Sequence, residues 1–345
     1  MTASGQLPEK IILVTGGSGL VGSAIQWAID SSSSGVGNQG DGKWIFLSSA
    51  DGDLRNYDET NAIFAKHKPT HVIHLAARVG GVYENSRRMA DFVRDNVSID
   101  QNVLRVCQAR NVEKVVSCLS TCIFPDKTTY PITEEMLHDG PPHASNYGYA
   151  HAKRLLHILS LAYRQQYGCR FTCVIPTNLY GPNDNFSEGC HFIPGIIKRV
   201  ASVMEKGEDG PLSTLVVPGS GRALRQFLYS RDLAKMLIWA LWNYDAPEPL
   251  IVSPDPNQEV SIKDVVSLVS ELSGFGGPIE WDTRWTDGQL RKTADNAKMR
   301  SVMKDFEFTA LEQGLRETIA WYNANQGRIR GVELLEQARV SKALI

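Results

Sequence analysis

Tyr149-Ala-His-Ala-Lys153 sets a phenol and an ammonium four residues apart, which on a helix puts one above the other on the same face. An ammonium beside a phenol stabilises the phenolate and draws its pKa down from ~10 toward working pH. A tyrosine so tuned can exchange a proton with the oxygen of a carbonyl/alcohol pair while a hydride reaches or leaves the carbon. Ser120, just after an apolar run, is spaced to hydrogen-bond that same oxygen. The hydride carrier is implied further upstream, in Gly16-x-x-Gly19-x-x-Gly22. Gly16 permits a tight turn, a bare Gly19 lets a pyrophosphate approach the backbone, and Gly22 allows close helix–sheet packing. The helix that follows offers unpaired N–H donors and a partial positive charge. Taken alone, the first pattern is an ordinary exposed pair and the second an ordinary turn; together they point to dinucleotide-dependent carbonyl chemistry.

The elements that must position these groups are legible as alternating runs. Ile11–Val14, Trp44–Leu47, His71–Leu75, Val115–Leu119 and Phe171–Ile175 are short, continuous and apolar, as expected of strands buried on both faces. Helical patterns separate them over Leu20–Ile29, Tyr57–Lys66, about Asn85–Arg110 and Tyr147–Tyr167, with Ser31–Gly42 and Pro125–Ser145 as loops. Strand–helix alternation of this kind implies a parallel sheet with right-handed crossovers, so the fold class is α/β, a Rossmann-type doubly wound sheet. Beyond Pro176 the pattern loosens. Helices are expected at Phe192–Glu205, Ser230–Tyr244, from about Ser261, and at Leu311–Ala324, with an apolar segment at Leu250–Val252. The resulting division is a cofactor domain over 8–177 with a return segment near 225–252, a smaller C-terminal substrate-binding domain over 178–326, and a tail over 327–345. That tail is either a peripheral helix or frayed chain.

Charge narrows the partners. Lys plus Arg number 36 against 38 Asp plus Glu, a formal charge of -2, which argues against nucleic acid and against a polybasic membrane surface. No apolar run reaches the ~18 residues of a bilayer crossing, and Met1–Lys10 has no hydrophobic core segment of a secretory signal, so a cytoplasmic protein is expected. Six cysteines form no Cys-x-x-Cys pair and no zinc-type spacing, and no metal is expected. The second strand ends Leu47-Ser48-Ser49-Ala50, with no acid until Asp51. Neutral hydroxyls there do not repel a 2′-phosphate, which favours NADP(H) unless Asp51 or Asp53 reaches back. Asp53-Leu54 is alternatively positioned under the adenine. Asp232, after Ser230 at a helix start, is read as a cap and dipole partner.

Thr15-Gly16-x-x-Gly19-x-x-Gly22, Ser120 and Tyr149-x-x-x-Lys153 resemble the extended short-chain dehydrogenase/reductases that act on nucleotide sugars. Leu119-Ser120-Thr121-Cys122-Ile123-Phe124-Pro125 and Pro176-Thr177-Asn178-Leu179-Tyr180-Gly181-Pro182-Asn183-Asp184-Asn185-Phe186 are similar to the GDP-L-fucose synthase family, over about Ile11–Asn325. That family inverts C3 and C5 of GDP-4-keto-6-deoxy-mannose and reduces its C4 ketone with NADPH. The resemblance implies Cys122 as the base that removes the C3 and C5 protons and His191 as the acid that returns them, with Ser120, Tyr149 and Lys153 serving the reduction. It implies cofactor contacts from Gly16, Gly17, Ser18, Gly19, Leu20, Val21, Gly22, Asp53, Leu75, Ala76, Ala77, Tyr149, Lys153, Pro176, Asn178 and Leu179. Substrate contacts fall on Ser120, Asn178, His191, Arg199, Arg225 and Lys292, the three cations for the pyrophosphate. A homodimer through the helices near Ser86–Arg110 and Tyr149–Tyr167 is implied as well.

Without the family, Cys122 reads as a packed thiol, His191 as a loop histidine, and Arg199, Arg225 and Lys292 as a solvated face. The remaining histidines, His74 among them, keep that plain reading, and Cys118 is expected in the core. The family commonly has histidine where Asn183 stands, and often tryptophan before the glycine in Val216-Val217-Pro218-Gly219. Two rivals remain. One is another nucleotide-sugar epimerase or dehydratase, although dehydratases commonly follow the Ser/Thr with an Asp-Glu pair that Thr121-Cys122 lacks. The other is a cofactor-sensing protein without turnover, a class that tends to lose the tyrosine or lysine kept here.

Overall fold

The computed structural model describes residues 9–31, 42–206, 213–326 and 329; the expectations for the tail and for most of the Ser31–Gly42 loop fall outside them. The first half alternates strands and helices: β1 (Ile11–Thr15), α1 (Leu20–Asp30), β2 (Lys43–Phe46), α2 (Tyr57–His67), β3 (His71–His74), α3 (Val82–Arg87), α4 (Met89–Ala109), β4 (Lys114–Cys118), α5 (Tyr147–Tyr167) and β5 (Phe171–Pro176). The second half runs β6 (Asn178–Tyr180), α6 (Phe192–Lys206), β7 (Leu215–Pro218), β8 (Leu224–Arg225), β9 (Phe227–Tyr229), α7 (Ser230–Asn243) and β10 (Leu250–Val252). It closes with β11 (Val260–Ser261), α8 (Ile262–Ser273), β12 (Ile279–Asp282), α9 (Ala297–Val302) and α10 (Leu311–Ala324).

Six strands make one wholly parallel sheet in the order β10-β5-β4-β3-β1-β2. Both of its faces are covered, which is why these strands are apolar without alternation. On one face α2, α4 and α5 pack around Phe64, Leu104, Val115, Leu156 and Phe171; on the other α1 and α7 pack around Ile12, Ile25, Ile73, Leu237 and Leu250. The chain leaves β1 outward to β2 and returns to β3 on the other side. This reversal opens a crevice at the carboxyl ends of β1 and β3, where open α/β sheets bind ligands. A third core, built on Tyr180, Phe186, Ile197, Val217, Val266 and Leu315, lies beneath α6, α8 and α10. Paired strands β12 with β7, β11 with β8 and β6 with β9 frame that second region.

Four sequence expectations change. The single helix expected over Asn85–Arg110 is two, broken at Arg88 (φ -122, ψ 36), because its two parts have different partners. Gly81 at the head of α3 donates to Gly189 O at 2.9 Å, whereas Met89 at the head of α4 packs onto Gly148 of α5. The Pro125–Ser145 loop contains 3-10 turns at Glu134–His138 and Ala144–Asn146. Asp232 does not cap α7: its carboxylate accepts from Thr309 N at 2.7 Å and Thr309 Oγ1 at 3.0 Å, tying the approach to α10 onto α7. Cys118 is only half-buried, its thiol facing Lys153 and raised to about 11 by burial.

Candidate active site

Gly16 adopts φ +69, and a Cβ there would meet Ala76 N at 2.9 Å, so only glycine makes this turn. A Cβ on Gly22 would lie 2.4 Å from Gly17 O, which fixes how closely α1 approaches the loop. Gly17 N–H is engaged by Leu47 O at 2.7 Å, and Gly19, the N-cap of α1, offers no side-chain acceptor. The first N–H groups of α1, those of Leu20 and Val21 among them, therefore have no capping partner and face outward as an anion cradle. A dinucleotide pyrophosphate fits this loop. Leu75, Ala76 and Ala77 follow β3 on the other side of the crevice, and Pro176, Asn178 and Leu179 come from the end of β5 and from β6.

The two acids that could have opposed a 2′-phosphate are engaged locally. Asp51 accepts from Ser48 N at 2.8 Å and Ser48 Oγ at 2.9 Å, and these bonds lower its pKa. Asp53 is gripped by Arg55 through Nε and Nη2 at 2.7–3.0 Å, which lowers it likewise. Ser48 and Ser49 are left as the neutral edge of that subsite.

Across the crevice, Ser120 ends the segment after β4 and accepts from Cys122 N at 3.4 Å, which turns the chain into a 3-10 turn over Thr121–Ile123. Tyr149 and Lys153 stand on α5, with the Phe92 ring of α4 edge-on to Tyr149 at 6.3 Å. The lowered phenol pKa expected from the lysine four residues away is not found. Burial, then Cys122, Cys118 and Asp100, hold the Tyr149 phenol well above its ordinary value, and the Lys153 ammonium lies 3.9 Å from Asp100. Cys122 departs the same way. Burial raises its thiol against the pull of Lys292, Ser120 and Lys153, so the resting group is a thiol and not a thiolate.

His191 stands just before α6, its carbonyl accepting from Gly195 N at 3.1 Å. Its ring is reachable by solvent but walled by protein, and the loss of water around it lowers its pKa. Arg225 donates Nη1 to Leu224 O at 2.7 Å and Nη2 to Gln289 O at 2.6 Å. Burial lowers its pKa, and among the described residues no carboxylate pairs with it. Lys292 is lowered to about 8, by burial first, and faces Cys122, Arg225 and Asp126. It belongs to a strip held between the two halves: Gln289 donates to Asp126 O at 3.3 Å, and Ile132 N donates to Thr293 O at 2.8 Å. Two desolvated cations that make no salt bridge among the described residues have the chemistry to hold a diphosphate. Arg199 lies exposed further along α6.

Sequence reasoning missed a buried polar chain behind Lys153. Thr15 Oγ1 meets His74 Nδ1 at 2.8 Å, and His74 Nε2 meets Asp100 Oδ1 at 2.9 Å. The available signal was polar residues on strands that otherwise read as apolar. Among the described residues, no His, Cys, Asp and Glu side chains gather as a metal site, and no helix is long and apolar enough to cross a membrane.

Residues 12–253 match the model of the NAD dependent epimerase/dehydratase family. The chain is 48% identical to GDP-L-fucose synthase of Dictyostelium discoideum, over 92% of this chain and 96% of that one. It is 49% identical to the probable GDP-L-fucose synthase of Drosophila melanogaster, over 93% and 99%. Its fold superposes on the crystal structure of a GDP-L-fucose synthetase from Naegleria fowleri bound to NADP, with TM-score 0.86, 43% identity and coverage of 94% and 96%. A glycine cradle, a serine–tyrosine–lysine set and an end-to-end likeness to these proteins lead to one conclusion: the chain belongs to the NAD dependent epimerase/dehydratase family, within its GDP-L-fucose synthase branch.

Proposed function

We propose that this protein is a GDP-L-fucose synthase: it epimerises GDP-4-keto-6-deoxy-D-mannose at C3 and C5 and then reduces the C4 ketone with NADPH. The observation that carries this reading is the match to a protein of that name at 48% identity across 92% of the chain. The geometry supports it, because Cys122 lies within electrostatic reach of Tyr149, Lys153 and Lys292, and Lys292 of Arg225.

The cofactor is NADP(H), held by the Gly16–Gly22 loop, Asp53, Leu75–Ala77, Lys153 and Pro176–Leu179; when bound it supplies the hydride. The C4 ketone makes the C3 and C5 protons acidic, so a base on one face and an acid on the other invert each centre. Cys122 takes each proton, aided by Lys292 and Ser120, and His191 returns one from the opposite side. In the reduction, Ser120 hydrogen-bonds the carbonyl oxygen and Tyr149 gives it a proton, while Lys153 steadies the phenolate that results. Arg199, Arg225 and Lys292 hold the diphosphate, and Asn178 contacts the sugar. A phenol held protonated suits reduction, since a donor is required in that direction.

The division into a cofactor domain over 8–177 with a return near 225–252 and a substrate domain over 178–326 belongs to the same reading. So does a homodimer through α4 and α5, whose Val93, Ile158 and Tyr167 are exposed apolar side chains; sedimentation at twice the 38.2 kDa chain mass tests it. All six cysteines are free thiols, which fits a cytoplasmic address. Loss of nicotinamide absorbance on mixing the protein, NADPH and GDP-4-keto-6-deoxy-mannose supports the assignment. Cofactor binding without that loss favours a sensor.

A further inference from the structure

Asp100 sits on α4, 26 residues beyond His74 in sequence and 2.9 Å from it in space, and both side chains are fully enclosed. Donor and acceptor accounting fixes the proton between them. Thr15 Oγ1 accepts from Ala76 N at 3.1 Å and shares the Leu75 N–H, 3.1 Å away, with Thr15 O at 3.2 Å, so its acceptor side is turned to the backbone. Its own hydrogen must then go to His74 Nδ1, 2.8 Å away. That leaves His74 neutral with the hydrogen on Nε2, donated to Asp100 Oδ1. Asp100 is thereby held as an oriented carboxylate, and the same oxygen lies 3.9 Å from Lys153 Nζ. Lys153 is 2% exposed, and an ammonium this deeply buried needs an opposite charge.

We propose that Asp100 is a positioning residue for the reduction step: fixed by His74 and Thr15, its carboxylate anchors the Lys153 ammonium and biases Tyr149 toward the proton-donating phenol. The bias comes from charge. As the hydride reaches the carbonyl carbon, the C=O pair closes onto the Tyr149 proton and leaves a phenolate. Lys153 stabilises that phenolate, and Asp100 opposes it, so the phenolate takes a proton from solvent water and the phenol is restored for the next turnover. The groups that face this pair are Asp100 on α4, Cys118 on β4 and Cys122 after it, with Cys173 of β5 behind Lys153. Asp100 is the only carboxylate among them, and its charge adds to the burial that raises Tyr149. The same hydroxyl that fixes His74 also fixes the backbone of Leu75 and Ala76, so one buried chain sets both the floor of the crevice and the lysine above it.

This inference rests on Tyr149 as the donor in the proposed reaction, and its test separates the two. The reading is Tyr149 ionisation, followed by tyrosinate absorbance and assigned by subtracting Tyr149→Phe, in wild type and in Asp100→Asn. The Asn variant keeps an acceptor for His74 and removes the charge. Its Tyr149 titration, and the alkaline limb of kcat for ketone reduction, should move down by about one pH unit. A folded Asp100→Asn protein with both unmoved overturns the proposal while leaving the enzyme assignment intact; a wild type that never reduces the ketone defeats the assignment instead. If the variant does not fold, nitrogen-15 spectra of His74 in the wild type decide: the neutral Nε2–H tautomer is expected, and an imidazolium or the Nδ1–H tautomer overturns the proposal.

Discussion

Cys122 and His191 are shifted with opposite signs. Burial raises the thiol above 9.0, and protein packed beside the solvent-exposed His191 lowers its imidazole below 6.5, so both rest neutral. The pair that the proposed epimerisation uses, thiolate with imidazolium, is then a minor form whose population is flat between the two values and falls outside them. Lys292 feeds that minor form, being the foremost charge that pulls the thiol down. Because Lys292 itself is lowered to about 8, its help is present below pH 8 and lost above it. The kcat/KM profile for solvent exchange at C3 and C5 should therefore carry an alkaline limb near pH 8. Lys292→Arg should keep the rate and move that limb upward, while Lys292→Met should remove it and slow exchange about tenfold at neutral pH. Identical profiles for all three proteins would show that Lys292 does not act on Cys122.

Elements position these side chains through a few tight fits. The β1–α1 loop is one of them: Gly22→Ala sets a Cβ 2.4 Å from Gly17 O, which displaces the loop from the head of α1. NADPH affinity, measured by nicotinamide fluorescence, should fall at least about tenfold, with the domain destabilised by about 1–3 kcal/mol. Retained affinity would mean that the loop is not the pyrophosphate cradle. A second fit lies at the far end of the sheet. Lys114 at the start of β4 is buried and meets Asp245 Oδ1 at 3.0 Å, and Asp245 also binds Arg164 at 3.2 Å and Arg170 at 2.8 Å. Burial alone would raise the Asp245 carboxyl, but the bonds from Arg170 and Lys114 win and hold it at about 2, below the ordinary 3.8. A depressed carboxylate stabilises the fold fully above pH ~4, and that contribution fades as pH falls through 2. Asp245→Asn should cost about 1 kcal/mol or less at neutral pH, read as a lower Tm, because solvent screens the half-exposed carboxylate and Lys114 keeps Tyr244 O as an acceptor. The difference from wild type should shrink as the medium approaches pH 2.

At the scale of the whole molecule, legibility follows burial and sequence distance. Strands β1, β3, β4 and β5 were readable because they are buried within the sheet and so are largely apolar, and edge strand β2 was readable from its Trp44-Ile45-Phe46 run. Strands β6 to β9, β11 and β12 are two to four residues long, too short to show a period, and each is defined by a partner distant in sequence. The break at Arg88 was hidden because both halves of that stretch are helical, and only their partners differ. Tyr149, Lys153 and the glycines were visible because their spacing is local. His74 and Asp100 were not, since the sheet brings them together across 26 residues. Charge states were the least visible: burial holds both the Tyr149 phenol and the Cys122 thiol up, at Cys122 against the pull of Lys292 and Lys153. The central claim is that one cleft performs both epimerisation and reduction. Turnover of GDP-4-keto-6-deoxy-mannose with NADPH in deuterium oxide tests it most directly, with the product examined by NMR. GDP-L-fucose carrying deuterium at both C3 and C5 is predicted; a reduced sugar nucleotide with neither position labelled would contradict it.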